Sequence, residues 1–182
     1  MSIAVANRYA RALTETLEPG ADLRAVLEGL EAFKAIFAES TELREALESP
    51  AFTQEQKQRL LAAVLERAQI TGVVRDFLRV VQAHYRMTLL SEIVASFRHM
   101  AYERMGVIEV KLTSAWPLTA VQQQQVNARF VQMTGRQIEL EFRQDPSLIG
   151  GLIAQMGSTV YDGSIKGQLQ RIRQQLAQVR PH

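Results

Sequence analysis

The chain has 182 residues, of which 47% are hydrophobic, and this length allows one domain or two. It contains no cysteine, which excludes disulfide frameworks, thiolate metal sites and cysteine nucleophiles and is typical of a reducing compartment such as the cytoplasm. No apolar run reaches the roughly 18 residues of a spanning helix, so we expect no direct membrane insertion. The formal charge of +2 is spread through helical patterns without stacking aromatic residues, and we expect no nucleic-acid binding.

The first half of the chain has a helical pattern throughout. From Ser2 to about Arg104, apolar residues recur at steps of three and four, and proline, glycine and capping residues divide the stretch. Thr53 and Gln56 form a capping box, which marks the start of a helix. We therefore predict a six-helix bundle over residues 1–105, whose helices begin near Ser2, Asp22, Glu42, Thr53, Thr71 and Leu89.

The hydrophobic period changes at Gly106, which we predict to end the last of these helices in a left-handed conformation. Residues 107–114 alternate between apolar and polar side chains, as in a half-buried strand, and residues 138–142 repeat that pattern. Between them a second capping box opens a helix that Gly135 closes. Its predicted inward residues are Val126, Phe130 and Met133. We therefore expect residues 106–182 to form a small α/β domain and the whole chain to be of the α+β class.

Glycine and turn residues divide the rest of this domain into short segments. We predict a turn over residues 145–147, a glycine-interrupted apolar strand region over residues 148–161, and a final helix capped by Ser164. Gly150 and Gly151 lie among apolar residues and lack the lysine of a phosphate-binding loop. Glycines in such a context mark a bulge or a place where another backbone comes close.

Candidate catalytic groups are few. His84 and His99 fall on different predicted helices, and neither has a second histidine four residues away. We interpret both as polar or half-buried helix residues. The glutamates fall on predicted solvent faces, so no convergent pair of carboxylates emerges. We therefore predict no catalytic residue, no metal site and no cofactor.

The first helix has a distinctive surface. Tyr9 and Leu13 lie four residues apart on one side, and Arg8 and Arg11 flank them. Small side chains elsewhere on this helix allow a neighbouring helix to approach closely; they are Ala4, Ala6, Ala10 and Ala12. Two interpretations stay open from spacing alone. The pair belongs entirely to the bundle core, or it lines a groove for a partner helix.

Two segments of the sequence resemble a known family. Residues 7–13, Asn-Arg-Tyr-Ala-Arg-Ala-Leu, resemble the N-terminal Tyr-Ala-x-Ala motif of the delta subunits of bacterial F-type ATP synthases. Residues 145–152, together with Gly157, Val160, residues 162–164 and Leu169, are similar to the C-terminal signature of that family. Its mitochondrial counterpart is the oligomycin-sensitivity-conferring protein. The resemblance covers essentially the whole chain.

This resemblance implies a non-catalytic stator subunit, present as one copy in a large hetero-oligomer. Residues 1–105 would bind N-terminal helices of the alpha subunits on the catalytic head. Residues 106–182 would bind the b subunits of the peripheral stalk. Together they would resist rotor torque during proton-driven ATP synthesis, without binding nucleotide. Because no Arg-rich leader is present, the expected location is the cytoplasmic side of the bacterial inner membrane, as a peripheral membrane protein.

The resemblance also assigns residues to each surface. A groove for the alpha helix would lie between the first and fifth helices. Its expected residues are Tyr9, Ala12, Leu13, Val74, Phe77 and Val81. Residues expected to contact the b subunits are Gly150, Gly151, Arg171 and Arg173.

Two other classes of protein stay open as alternatives. A helical adaptor or chaperone-like protein of another family would explain the bundle but not the signature in the second half. An RNA-binding module would use residues 106–182, which contain eight basic and five acidic residues. Its affinity for RNA would fall as the salt concentration rises.

Overall fold

A computed structural model describes residues 2–169 of the chain. The chain divides into two compact units, of which the first ends at Met105 and the second begins at Gly106. All described strands lie in the second unit, whereas the first is helical. The α+β class predicted from the change of hydrophobic period is confirmed.

The first unit contains six α-helices and one short 3-10 turn. Their bounds are α1 Ser2–Thr16, α2 Leu23–Glu39, α3 Thr41–Glu48, α4 Gln54–Arg67, α5 Gly72–Ala83, the 3-10 turn Met87–Leu89 and α6 Leu90–Met105. The predicted capping box is confirmed, since the Thr53 hydroxyl accepts from the Gln56 amide and the Gln56 side chain accepts from the Thr53 amide. Gly106 follows α6 with a φ of 69°, as predicted for a left-handed terminator.

The core of the first unit is formed by fully buried side chains on α2, α4, α5 and α6; examples are Leu30, Phe33, Leu61, Leu78 and Phe97. Helix α6 packs against both α1 and α2. The Glu31 carboxylate of α2 pairs with Lys34 on its own helix and with Arg98 on α6. The stripes of apolar residues thus bring the helices together, and a partly buried ion network joins two of them at the side.

Helix α4 buries a charged residue. Lys57 is only 2% exposed, while the apolar residues Leu60 and Val64 on the same helix are half-buried. The turn after α5 places the ring of Tyr85 over the Lys57 ammonium, which lies 5.4 Å from the ring centroid. A cation–π contact of this kind offsets part of the cost of burying a charge.

The second unit is a four-stranded sheet with one described long helix. Its elements are β1 Ile108–Ser114, α7 Ala120–Thr134, β2 Ile138–Gln144, a 3-10 turn Pro146–Leu148, β3 Leu152–Met156 and β4 Thr159–Asp162. The strand order is β2-β1-β3-β4, with β1 and β2 parallel and the other pairs antiparallel. Residues 165–169 begin a further helix.

Helix α7 is the crossover between the parallel strands and packs on one face of the sheet. Val126 and Phe130 pack against a buried cluster that includes Val110 and Leu112, as predicted. Met133 was expected to point inward but is exposed. A single helix on a sheet buries only a narrow stripe, and Met133 lies outside it.

The glycine-rich region differs from the prediction as well. Two strands, β3 and β4, lie in the predicted strand region and Gly157 interrupts it between them, but β3 begins only at Leu152, so Gly150 and Gly151 precede the strands. None of the helices among the described residues is long and apolar enough to cross a membrane.

Candidate partner-binding surfaces

Helices α1 and α5 meet through one aromatic contact. The rings of Tyr9 and His84 lie edge to face, with centroids 6.3 Å apart and an interplanar angle of 65°. His84 is the C-cap of α5 and is exposed, so it lies at the helix end rather than within the helix. Tyr9 is half-buried and Ala12 is exposed on the same side of α1. The carboxyl end of α5 and this side of α1 therefore lie together at the surface.

Helix α5 carries two apolar stripes. One consists of the buried residues Val74, Leu78 and Val81. Val74 packs on α2 at Gly29, where an added Cβ would lie 3.3 Å from a Val74 methyl group. The second stripe precedes His84 at steps of three and four and consists of Val73, Phe77 and Val80. His84 contacts Tyr9, so the His84 end of this stripe lies beside α1, whereas Val73 lines a cleft with Val74 and residues of α2.

The residues expected in the groove therefore divide into three groups. Tyr9 and Ala12 remain accessible, and Phe77 is at the boundary of the core. Leu13 and Val81 are 2% and 0% exposed, so they form the floor beneath the surface. Val74 points toward α2 and does not face α1.

Sequence reasoning missed Val80 and His84. Val80 is 48% exposed although it lies in the apolar part of α5. The spacing of Val80 and His84 could have identified them, because it places both on the side of the helix that carries Phe77. Val80 is hard to recognise as exposed because Val81 follows it, and hydropathy does not tell which of two neighbouring valines faces the core.

The carboxyl end of α5 is held in a fixed conformation. The amides of Tyr85 and Arg86 donate to the carbonyl groups of Gln82 and Val81, at 3.0 Å each. Tyr85 adopts a φ of 57°, at a position where helices usually place glycine. Its contact with the buried Lys57 ammonium, near the negative end of the α5 dipole, favours this conformation. The end of the helix and its histidine are thereby positioned beside α1.

Residues 2–169 contain no group of three His, Asp or Glu side chains that would hold a metal ion. The shifted carboxyl groups are explained by local hydrogen bonds. The side chain and the backbone amide of Ser147, for example, hold the pKa of Asp145 below its ordinary value.

In the second unit, backbone hydrogen bonds join two glycine-rich segments. The Gly150 carbonyl accepts from the Ile165 amide, and the Leu152 carbonyl accepts from the Gly163 amide, both at 3.0 Å. Gly151 has a φ of 79°, and a Cβ there would lie 2.4 Å from the Gly163 carbonyl oxygen. Of the two expected roles, a bulge or the close approach of another backbone, the structure shows the second at Gly151.

Ser164 caps the following helix, as predicted. Its hydroxyl accepts from the Gly167 amide at 3.0 Å and donates to an Asp162 carboxylate oxygen at 2.6 Å. A Cβ on Gly167 would lie 2.1 Å from the other Asp162 oxygen. The signature residues of this segment thus have a structural role that their backbone geometry explains.

This geometry limits the residues expected to contact the b subunits. Gly150 is buried, so it supports the fold and does not itself form an outer surface. Gly151 is accessible on one side and enclosed on the side where a Cβ would point. Arg171 and Arg173 lie outside the described residues.

A cleft of about 380 Å³ runs between α7 and β2. Residues of α7 and β2 line it; they are Ala120, Gln123, Gln124, Asn127, Ile138, Glu139, Leu140 and Phe142. The Asn127 Oδ1 atom is buried and has no hydrogen-bond partner within the described part of the chain. Phe142 is 39% exposed at the mouth.

Residues 5–176 match the family described as "ATP synthase delta (OSCP) subunit". The protein "ATP synthase subunit delta" of Myxococcus xanthus strain DK1622 is 38% identical over 180 residues, covering 98% of this chain and 99% of its own length. The protein of the same description from Azorhizobium caulinodans is 35% identical and covers 97% of this chain and 95% of its own length.

A solved structure shares the fold. It is a chain of the Toxoplasma gondii mitochondrial ATP synthase hexamer, determined by cryo-EM, which aligns with a TM-score of 0.75 at 23% identity. The alignment covers 97% of this chain and 98% of the other. The similarity extends across both units, and the motifs, the fold and the near-complete match agree. The chain belongs to the ATP synthase delta (OSCP) subunit family.

Proposed function

We propose that the chain is a non-catalytic link between the catalytic head and the peripheral stalk of an F-type ATP synthase. The first unit binds N-terminal helices of the alpha subunits, and the second binds the b subunits. The family is a component of the peripheral stalk, which supports this assignment. A link of this kind has to resist the torque that the rotor exerts on the head.

The observation that carries the proposal is the surface shared by α1 and α5. Phe77 and Val80 on α5 and Tyr9 and Ala12 on α1 border it, while Leu13 belongs to the floor beneath it. An exposed apolar stripe between two helices fits the apolar face of a third amphipathic helix. The exposed arginines beside Tyr9 then lie at the rim, where charges affect the association rate more than the lifetime.

The second unit supports a separate contact. It leaves strand β2 at the edge of the sheet and has an open cleft beside it. Two contacts in series make the whole link as strong as its weaker member. A nanomolar contact corresponds to about 12 kcal/mol, so each unit needs one well-formed surface.

The proposal includes an absence of catalysis and a location. We expect the chain to bind no nucleotide and no cofactor, and to be held at the cytoplasmic side of the bacterial inner membrane through its partners. The described helices offer no means of crossing the membrane, and the described carboxylates and histidines do not converge.

The test is a calorimetric titration with a synthetic peptide from the N-terminus of the alpha subunit of the same organism. Wild type is compared with Val80→Glu, which places a charge in the exposed stripe of α5. We expect one-to-one binding by wild type. The variant should bind at least tenfold more weakly, a loss of about 1.4 kcal/mol.

The matched control is Val131→Glu, since Val131 is also an exposed helical valine, at 41%, but lies on α7. Circular dichroism checks that both variants stay folded. If Val80→Glu and Val131→Glu bind the peptide equally well, the α1–α5 surface is not the binding site. If wild type does not bind the peptide, the head contact as proposed is wrong and a helical adaptor of another kind becomes the better interpretation.

A further inference from the structure

The carboxyl end of α5 is held by side chains of α4. The Gln58 side-chain amide donates to the Arg79 carbonyl at 3.1 Å. The Gln54 side-chain amide donates to the Gln82 carbonyl at 3.3 Å, and this carbonyl also accepts from the Tyr85 amide. Gln54 and Gln58 are four residues apart, so they lie on the same side of α4. Two polar side chains of α4 thus bind the last turn of α5.

A buried lysine follows Gln54 on the same side of α4. Lys57 is 2% exposed, and within residues 2–169 its ammonium contacts the Tyr85 ring and pairs with no carboxylate. Burying a charge without an opposite charge costs free energy. The ring that covers this charge belongs to a residue in the left-handed conformation, which costs free energy in any residue but glycine. Two unfavourable features therefore meet at one contact.

The residues next to this contact belong to the surface shared by α1 and α5. His84 directly precedes Tyr85, and its ring contacts that of Tyr9 on α1. The His84 amide donates to the carbonyl of Val80, which is 48% exposed. Unfavourable local features persist where the surrounding structure maintains them, and they concentrate at functional sites. The function nearest to this contact is binding at the α1–α5 surface.

We propose that Lys57, together with Gln54 and Gln58, positions the end of α5 and so sets the affinity of the α1–α5 surface without touching the partner. The ammonium holds the Tyr85 ring, and the left-handed turn keeps His84 against Tyr9. A surface that is already ordered loses less conformational freedom on binding, so it binds more tightly. This inference rests on the proposed function, because the partner is taken to be an N-terminal helix of an alpha subunit.

A purely structural role for Lys57 predicts a different result. If the lysine only stabilises the bundle, its replacement should lower the stability and leave the affinity of the folded chain unchanged. Positioning predicts the reverse. An apolar side chain of similar size in place of a buried charge is often neutral or stabilising, so stability should be kept while affinity falls.

The test is a calorimetric titration of the Lys57→Leu chain with the synthetic alpha-subunit peptide. We expect binding about fivefold weaker than that of wild type, with no decrease in the urea concentration at half unfolding. Gln54→Met, which loses the donor but keeps the length of the side chain, is the second variant and should weaken binding about threefold. The control is Glu31→Gln, which removes the ionic contact with Arg98 on α6. It should lower stability and leave the peptide affinity unchanged.

Two further measurements ask whether Lys57 acts through the end of α5. In a His84→Ala background, Lys57→Leu should weaken binding by less than about twofold, because the two residues act through the same contact. In the free chain, the rings of Tyr9 and His84 should give a proton nuclear Overhauser effect. This signal should be lost in Lys57→Leu and kept in Glu31→Gln.

The outcomes separate this inference from the proposed function. If wild type binds the peptide but the folded Lys57→Leu chain binds it equally well, positioning is wrong while the head contact stands. The same holds if Lys57→Leu keeps the Tyr9–His84 signal, if its effect is undiminished in the His84→Ala background, or if Glu31→Gln weakens binding as much. If wild type does not bind the peptide, the proposed head contact fails and this inference fails with it.

Discussion

The helical unit and the sheet-containing unit differ in what forms their exposed surfaces. In the first unit, the surface between α1 and α5 consists of side chains such as Tyr9 and Val80, above a floor of buried leucine and valine. In the second unit, close contacts between backbone segments around Gly151 shape the fold, and β2 is an edge strand of the sheet that the described residues form. A helix hydrogen-bonds its own backbone, so only its side chains remain for a partner. An edge strand leaves half of its backbone groups available to a partner.

This difference has a consequence for mutation. A substitution on the exposed stripe of α5 should change binding and leave the first unit folded. A substitution at a close backbone approach in the second unit should disturb the fold before it affects any partner. A single substitution is thus expected to affect binding before folding in the first unit, and folding before binding in the second.

The largest loss of stability is expected for Gly151→Ala. Its φ of 79° disfavours any side chain, and the new Cβ would lie 2.4 Å from the Gly163 carbonyl oxygen, so the backbone would have to move. We expect a loss of about 3 kcal/mol in the stability of the second unit. Urea unfolding followed by circular dichroism measures it.

The matched control is Gly157→Ala, which has a φ of 58° but open space where the Cβ would be. It should lose only about 1 kcal/mol, the cost of the left-handed conformation alone. Equal losses for the two variants would mean that the contact between the glycine segments contributes nothing, and the contrast between the units would disappear.

A smaller effect is expected for Glu31→Gln in the first unit. Burial tends to raise the pKa of Glu31, but hydrogen bonds from Lys34 and Arg98 outweigh it, so its pKa lies below the ordinary value of 4.5. A lowered folded pKa gives stability that is present above the unfolded value and is lost as the pH falls through the folded one. We expect the variant to lose about 1 kcal/mol at pH 7, and less at acid pH.

Urea unfolding at a series of pH values tests this expectation. Glu55→Gln is the control, because the Glu55–Arg59 pair is largely exposed and should contribute far less. A difference between wild type and Glu31→Gln that does not shrink at acid pH would show that the α2–α6 ion network is not the cause.

The smallest effect is expected for Gln69→Gly, and it has the opposite sign. Gln69 follows α4 with a φ of 57° and is exposed. Glycine removes the left-handed strain of about 1 kcal/mol, but it also raises the conformational entropy of the unfolded chain, which opposes folding. We therefore expect a net stabilisation of about 0.5 kcal/mol. Tyr85→Gly should gain less, since it also loses the ring over Lys57. An equal or larger gain in thermal unfolding for Tyr85→Gly would show that this contact is not stabilising.

Local chemistry in the sequence determined the elements of this protein. Capping boxes, helix-ending glycines and the change of hydrophobic period each act within a few residues, so they predicted the helices, the first two strands and the division near Gly106. The same reasoning left two roles open for Gly150 and Gly151, a bulge or the approach of another backbone, and it did not place them before a strand. The family motifs were also local, and the comparisons confirmed the family.

The tertiary structure alone decided which face of each element is used. Periodicity assigns a stripe to a helix, but α5 has two stripes, and only the tertiary contacts tell that Val74 packs on α2 at Gly29 and that His84, at the end of the other stripe, lies beside Tyr9. The burial of Lys57 likewise depends on a ring 28 positions away in the sequence. Strand order left β2 at an edge, which no pattern within β2 encodes. These features depend on contacts between distant segments, and a local pattern carries no information about which segments meet.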